Sequence, residues 1–323
     1  MPVHRGADLF ETAERRWRGL VEARPDLVPA IELQRRLLAI VADVSRELDE
    51  AGVPGLSLSS EYLAAKLTRG MPALAGEPIP LPMPVLGPPL LQFCTTLGEG
   101  GAGDAAAHIE TALSTGEIAS ASLLAACLAR DQGAVRAGAV QHGLAPDLVW
   151  LVAELAAGPL IHLLQQQLLA AATGEALPSA LQAWNRGYCP ACGSWPALAE
   201  VAGGHRTLRC SFCAGAWELT TYACIYCAES GEAFVTAAPN EDRKDRRVEV
   251  CGACGAYLKA IDLPELSPYP LLSISDLETT DLDVAAMEHG YARPMLKDFS
   301  RVGAAGSPGR AGPEAGVGKP GDG

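Results

Sequence analysis

Eight of the ten cysteines in this chain stand in four C-x-x-C pairs: Cys189/Cys192, Cys210/Cys213, Cys224/Cys227 and Cys251/Cys254. Two cysteines separated by two residues wrap a tight turn around one cation. Two such turns supply the four thiolates that a tetrahedral Zn²⁺ or a mononuclear iron requires. The competing meanings of such pairs are a redox dithiol and a disulfide framework. Disulfide frameworks belong to small secreted domains, whereas this chain has 323 residues and opens, from Met1 to Arg18, on charged residues with no cleavable apolar segment. A reducing, cytoplasmic setting is therefore expected. A thioredoxin-like dithiol calls for one motif beside a β-α-β pattern, and four copies among glycines, aromatics and short strands fit metal binding better.

The spacing suggests how the pairs combine. Between Cys192 and Cys210, Pro196 to Val201 and Thr207 to Arg209 read as a β-hairpin turning at Gly203-Gly204. Between Cys227 and Cys251 the plan recurs, with strands expected at Ala233–Thr236 and Val248–Val250. The flanks repeat as well: Leu208-Arg-Cys-Ser-Phe-Cys-Ala-Gly-Ala-Trp217 aligns with Glu249-Val-Cys-Gly-Ala-Cys-Gly-Ala-Tyr257. The economical assignment is a tandem repeat, with one metal site from Cys189, Cys192, Cys210 and Cys213 and a second from Cys224, Cys227, Cys251 and Cys254. A cross-braced pairing, first pair with third and second with fourth, stays open. Gly193 and Gly255, after a closing cysteine, suit the left-handed turn that aims backbone N–H groups at sulfur. Trp195, Trp217, Tyr222 and Tyr257 are expected to cover sheets too small to have another core, and metal is what lets such modules fold.

These residues resemble the FdhE family, the formate dehydrogenase accessory proteins. The resemblance rests on Tyr188-Cys-Pro-Ala-Cys-Gly-Ser-Trp-Pro196, Leu208-Arg-Cys-Ser-Phe-Cys213 with Trp217-Glu218, Cys224-Ile-Tyr-Cys227, and Cys251-Gly-Ala-Cys-Gly-Ala-Tyr-Leu-Lys259. Ser275-Asp-Leu277, Leu282-Asp283 and the ending Glu288-His-Gly-Tyr-Ala-Arg293 agree too. Thr221 and Lys297 depart from the arginine and asparagine common in the family. The resemblance implies a non-enzymatic assembly factor that binds the formate dehydrogenase catalytic subunit in the cytoplasm. It also implies a helical N-terminal domain joined to two rubredoxin-like modules, with iron associated with them. Two mononuclear four-cysteine ions, iron or zinc, are the expected cofactors. The alternatives are a rubredoxin-type electron carrier and a zinc-ribbon nucleic-acid binder.

The remaining sequence frames these modules. Residues 1–185 carry 12 basic and 20 acidic side chains, and residues 186–262 carry 8 and 9, so the ribbons lack the basic stripe that a nucleic-acid grip needs. The exception is Arg243-Lys-Asp-Arg-Arg247, a basic loop that is either a solvated turn or a dock for an acidic partner. Residues 1–184 read as a helical domain, followed by modules at 185–222 and 223–268, a C-terminal helix within 269–300 and a disordered Gly/Ala/Pro tail at 301–323. Ile31, Leu37, Leu38, Val41, Val44 and Leu48 mark one helix ending near Gly52, and Ser60 to Thr68 marks a second, capped by Ser59 or Ser60. The prolines of 71–89 are expected to form an extended crossing segment. Further helices are expected at 90–97, 105–115, 118–130, 135–143 and 146–172. The last holds Glu154, the Gly158-Pro159 break and His162 and reads as a buried, kinked core helix, with no direct membrane insertion. Cys94 and Cys127 read as small core residues, His205 as an exposed turn residue, and Ser275–Tyr291 as one amphipathic helix. Self-association is left open, and no acid/base dyad or nucleotide-binding motif points to an enzyme.

Overall fold

The computed structural model describes residues 6–53, 55–170, 174–238 and 243–294; the tail at 301–323 lies outside them. Eleven α-helices and six strands are present among the described residues. Helices α1 (Gly6–Ala23), α2 (Val28–Ala51), α3 (Ser60–Thr68), α4 (Met83–Leu97), α5 (Gly103–Ser114), α6 (Ser120–Leu128), α7 (Gln132–Gln141), α8 (Pro146–Ala170) and α9 (Ala176–Gln182) come first. Strands β1 (Pro196–Ala202), β2 (His205–Cys210), β3 (Ala216–Trp217), β4 (Phe234–Ala237), β5 (Arg246–Cys251) and β6 (Ala256–Asp262) follow. Helices α10 (Leu272–Glu278) and α11 (Thr280–Glu288) close the described chain.

Where local chemistry is strong, the elements start and stop as the sequence indicates. The Ser59 hydroxyl accepts the Tyr62 N–H at 3.2 Å and caps α3. Gly52, left-handed, ends α2, whose buried face is Ile31, Leu37, Val41, Val44 and Leu48. Helix α8 runs unbroken through Pro159 and packs against α2, α4, α6 and α7. It is long and apolar enough to cross a membrane, but 61% of its most apolar window is buried inside the protein, as expected of a core helix.

Three expectations fail for identifiable reasons. The proline run does not stay extended to Pro89: α4 begins at Met83 and carries Pro84, Pro88 and Pro89. Pro84 sits in the first turn, where no N–H is needed. The backbone bonds lost at Pro88 and Pro89 are offset by burial of Leu86, Pro89, Leu90, Phe93, Cys94 and Leu97. The single helix over Ser275–Tyr291 is instead two, because Thr279 leaves helical geometry (φ −116°, ψ 23°) and its hydroxyl bonds back to Ser275 O at 2.9 Å. Within the second of these helices Leu282 is buried and Met287 is exposed. Helix α1 was not foreseen in its charged opening segment. It exists because Trp17 and Leu20 pack with Ile31, Leu271 and Ile274, and because Arg16 bridges to Glu278 and Ser275.

The two ribbons are joined into one six-stranded sheet of order β3-β2-β1-β6-β5-β4. Each contributes antiparallel strands, and the seam is parallel, with Ala199 opposite Ala260 and Glu200 opposite Ile261. Gly203 and Gly204, both at positive φ, form the β1–β2 turn in the two-residue geometry that matches strand twist. Buried ion pairs brace the sheet. Arg209 holds Glu200 and donates to Ser267 O at 2.7 Å, and Lys259 reaches Asp276 and Asp283 at 2.8 and 2.6 Å. One apolar core runs from α4 and α8 into the first ribbon, where Leu208, Phe212 and Trp217 continue it.

Candidate metal centres

Each C-x-x-C pair forms the same knuckle. The residue after the second cysteine is left-handed in all four: Gly193, Ala214, Ala228 and Gly255 have φ of 84°, 52°, 65° and 69°. Its N–H donates to the carbonyl of the first cysteine, Cys189, Cys210, Cys224 or Cys251, at 2.8 to 3.2 Å. The turn thereby directs the intervening N–H groups at sulfur, and Phe212 and Cys213 both donate to Cys210 Sγ at 3.4 Å. Two knuckles use glycine and two force alanine into a conformation that costs it about 1 kcal/mol.

The knuckles combine in tandem. Cys189, Cys192, Cys210 and Cys213 form one group and Cys224, Cys227, Cys251 and Cys254 the other, with the sulfurs of each group within 4.8 Å of one another. The cross-braced pairing does not occur. In the first group, Cys192 Sγ lies 3.4 Å from Cys210 Sγ and 3.7 Å from Cys213 Sγ, and Cys189 Sγ lies 3.6 Å from Cys213 Sγ. In the second, Cys224 Sγ is 3.7 Å from Cys254 Sγ and Cys227 Sγ is 3.6 Å from Cys251 Sγ. A tetrahedral ion with metal–sulfur bonds of about 2.3 Å spaces its sulfurs about 3.8 Å apart, whereas a disulfide needs about 2.05 Å. All eight thiols are free, so the geometry and the soft donor set fit a four-coordinate ion in each group.

The surroundings of the two groups differ sharply. All four cysteines of the first are buried, whereas Cys227 and Cys254 of the second are exposed. The helical domain seals the first group. Residues 72–75 form a turn whose Ala73 and Leu74 N–H groups donate to Pro190 O and Ala191 O at 2.8 and 2.9 Å, inside the first knuckle. Tyr188 donates its hydroxyl to Gly70 O, and His162 of α8 meets Cys213 O at 2.8 Å while stacking on Tyr269. Gly215 lets the chain pass over the sulfurs, since a Cβ there would come within 3.2 Å of Cys213 Sγ and 3.4 Å of Cys189 Sγ.

Sequence reasoning missed Arg130, which lies 59 residues before the first knuckle and carries no motif. Only 5% exposed and at φ 58°, it sets its guanidinium 4.8 Å from the Trp150 ring and 4.1 Å from Phe212, the aromatic inside the Cys210/Cys213 knuckle. It pairs with Glu154, and its buried Nε has no hydrogen-bond partner. Four thiolates around a divalent ion carry two net negative charges, and a buried cation beside them offsets part of that charge. Burial opposes ionisation of the Cys192 thiol, but hydrogen bonds from Cys189, Cys210 and Cys213 and the nearby Arg130 charge hold it well below the usual thiol range. Burial pushes the Cys189 thiol well up, and hydrogen bonding to Cys189 and its neighbours does the same for Cys213. Such a group shares its protons unevenly, and a cation would displace those that remain.

Other residues singled out by the sequence fall into place. Cys94 and Cys127 are buried among apolar helices, and burial raises both thiols, Cys94 to about 12. His205 is exposed on the hairpin turn, 3.7 Å from Glu218. The basic loop is largely consumed internally: Arg246 donates to Glu278 O, Arg247 pairs with Asp262 at 2.7 Å and Arg243 with Asp245 at 3.2 Å. Trp217 and Tyr257 are buried and Trp195 packs, partly buried, against the apolar core, but Tyr222 is half exposed and lies on Phe234. Edge-on aromatic contacts connect the two groups, Tyr188 to Trp195 at 5.9 Å and Trp195 to Tyr226, inside the third knuckle, at 4.9 Å.

Known proteins of similar sequence and fold point the same way. Over 119 residues the chain is 35% identical to the protein FdhE homolog of Haemophilus influenzae (strain ATCC 51907 / DSM 11121 / KW20 / Rd), a match covering 36% of this chain and 39% of that relative. Over the same length it is 33% identical to protein FdhE of Escherichia coli O127:H6 (strain E2348/69 / EPEC), covering 36% of this chain and 38% of that protein. The match thus spans about two fifths of the length of these relatives. The crystal structure of the FdhE protein from Pseudomonas aeruginosa superposes with a TM-score of 0.57 at 24% identity, covering 92% of this chain and 97% of that one. No family model matches the chain. Sequence over one segment and fold over nearly the whole chain therefore support the resemblance to the FdhE family that the cysteine motifs suggested.

Proposed function

We propose that this chain is an FdhE-type accessory factor, needed to form active formate dehydrogenase and acting by binding that enzyme's catalytic subunit in the cytoplasm. Each cysteine group holds one iron or zinc ion in this reading, with Cys189, Cys192, Cys210 and Cys213 as one ligand set and Cys224, Cys227, Cys251 and Cys254 as the other. The observation that carries it is the convergence of eight cysteines into two four-sulfur groups, on a fold similar to that of an FdhE protein. Residues 1–184, 185–222, 223–268 and 269–300 serve as its working parts. The role is non-catalytic: four sulfurs close the coordination sphere and leave no position for substrate or activated water. When bound, the ions supply cross-links between knuckles, and the residues around them fix the surface offered to the client.

The chain, tagged and purified under anaerobic conditions, is expected to carry two ions of iron or zinc and to retain the formate dehydrogenase catalytic subunit when both are co-expressed. Deleting its gene in a host that makes formate dehydrogenase should abolish that activity, with restoration by the intact chain and not by a Cys189→Ser variant. Restoration by a variant lacking ions at both groups would refute the proposal. So would failure to retain the catalytic subunit.

A further inference from the structure

We propose that the two cysteine groups divide their work: the second exchanges its ion with soft donor ligands in solution, such as small thiols, while the first keeps its ion as an internal clamp. This rests on the reading of both groups as metal centres. An incoming thiol must reach the ion, and the proton it gives up on binding the metal must pass, through solvent, to the cysteine sulfur it displaces. In the second group Cys227 and Cys254 are exposed, so two of the four ligands meet both needs at the surface.

The first group offers neither route. Its four sulfurs are buried, the Ala73 and Leu74 N–H groups are locked to Pro190 and Ala191 in the first knuckle, and His162 holds the Cys213 carbonyl. Phe212, between Cys210 and Cys213, is covered by the buried Arg130 guanidinium at 4.1 Å. Its cysteines belong to the same apolar core as Leu160 and Leu164 of α8, whereas those of the second group do not. Opening the first group therefore requires the helical domain to part from the sheet. Opening the second requires only local displacement of a knuckle, and local openings lie far below global unfolding in free energy.

The test uses the full chain loaded with zinc and freed of excess, mixed under native conditions with the colorimetric chelator 4-(2-pyridylazo)resorcinol. Release is expected in two phases of equal amplitude, differing at least about tenfold in rate, because each 1.4 kcal/mol of opening cost is tenfold. N-ethylmaleimide present during release should label Cys224, Cys227, Cys251 and Cys254 with the fast phase and Cys189, Cys192, Cys210 and Cys213 with the slow one. A Cys254→Ser variant, changed at an exposed ligand outside the shared core, should lose the fast phase and keep the slow one. A single phase for both ions, early labelling of the first group, or loss of the slow phase in Cys254→Ser would overturn the division. Failure of the metal reading shows differently, as a total on acid denaturation that falls short of two zinc ions per chain, and overturns both.

Discussion

Gly187 is the place where the two groups press on each other, and Gly187→Ala is the sharpest perturbation the fold offers. Its φ is not in the left-handed region, so alanine carries no conformational penalty there. The obstacle is space: a Cβ would sit 1.8 Å from Ile225 O, 2.5 Å from Ile225 C and 2.8 Å from Ile225 Cα. Both sides are backbone, so no rotamer change can relieve the overlap. The third knuckle must withdraw from the segment before the first one. Withdrawal uncovers the buried Ile225 side chain, at about 1.5–3 kcal/mol, and breaks the Trp195–Tyr226 contact, at about 0.5–1.5 kcal/mol. The expected loss is therefore about 2–4.5 kcal/mol, at or above the upper end of typical overpacking. Urea unfolding followed by tryptophan fluorescence reads the stability, and maleimide labelling of Cys224, buried in the native chain, reads the displacement. A useful counterpart is Gly138→Ala in α7, where a Cβ meets nothing within 4 Å and helix propensity should add about 0.5–1 kcal/mol. If Gly187→Ala loses less than about 1 kcal/mol and Cys224 stays protected, the close approach of the two knuckles is refuted.

Arg130→Met should cost about 3–5 kcal/mol, since it strips Glu154 of its buried partner, and should speed zinc loss from the first group alone. Arg130→Lys, keeping charge without the planar stack on Phe212, should fall between Met and the native residue in urea unfolding and chelator assays. Ala228→Gly relieves a left-handed alanine and is expected to stabilise by up to about 1 kcal/mol in thermal unfolding of the loaded chain. Burial works against Asp276 ionising, but Lys259 and Arg293 prevail and hold its carboxyl below the usual range. A depressed folded value means its contribution is complete above the unfolded carboxylate range, near pH 4, and is lost as pH falls through the folded value. Acid titration by circular dichroism should show that loss in the native chain and less of it in Asp276→Asn.

The two four-cysteine groups were legible because their chemistry is local. A C-x-x-C turn specifies its own backbone, and the hairpin between Cys192 and Cys210 is set by Gly203-Gly204, so tandem pairing was the economical reading of chain order, and the assembled groups exclude the cross-braced one. Helices α2 and α3 were legible for the same reason, through an apolar stripe in one and the Ser59 cap in the other. What escaped depends on distant partners. Helix α1 needs Leu271 and Ile274, more than 240 residues away, to make sense of Trp17 and Leu20. Pro88 and Pro89 inside α4 violate the local rule because buried Leu86 and Leu90 hold the helix in the core. Arg130 has no signature beyond an arginine near a helix end, and only the assembled fold brings Phe212 onto its face.

That distinction bears on how such a chain can work. Two copies of one motif, read locally, should behave alike, and nothing between Cys189 and Cys254 in the sequence ranks one above the other. The parallel seam between β1 and β6 fixes both ribbons in one sheet, and the equivalence breaks because the four cysteines of the first group, and not those of the second, lie in the core shared with the helices. The covered ribbon inherits the helical core through Leu208, Phe212 and Trp217, together with a buried cation near its sulfurs. The other ribbon keeps solvent at Cys227 and Cys254 and presents β4, whose Val235, Thr236 and Ala237 are exposed, as the last strand of the sheet. Loss of an ion from the first group should therefore loosen the whole molecule, because the aromatic contacts from Tyr188 through Trp195 to Tyr226 depend on the first knuckle's position. Loss from the second should leave the helices and the first ribbon standing, since none of its four cysteines belongs to that core, while Ile225, Leu258 and Ala260, which do reach into it from the second ribbon, should loosen.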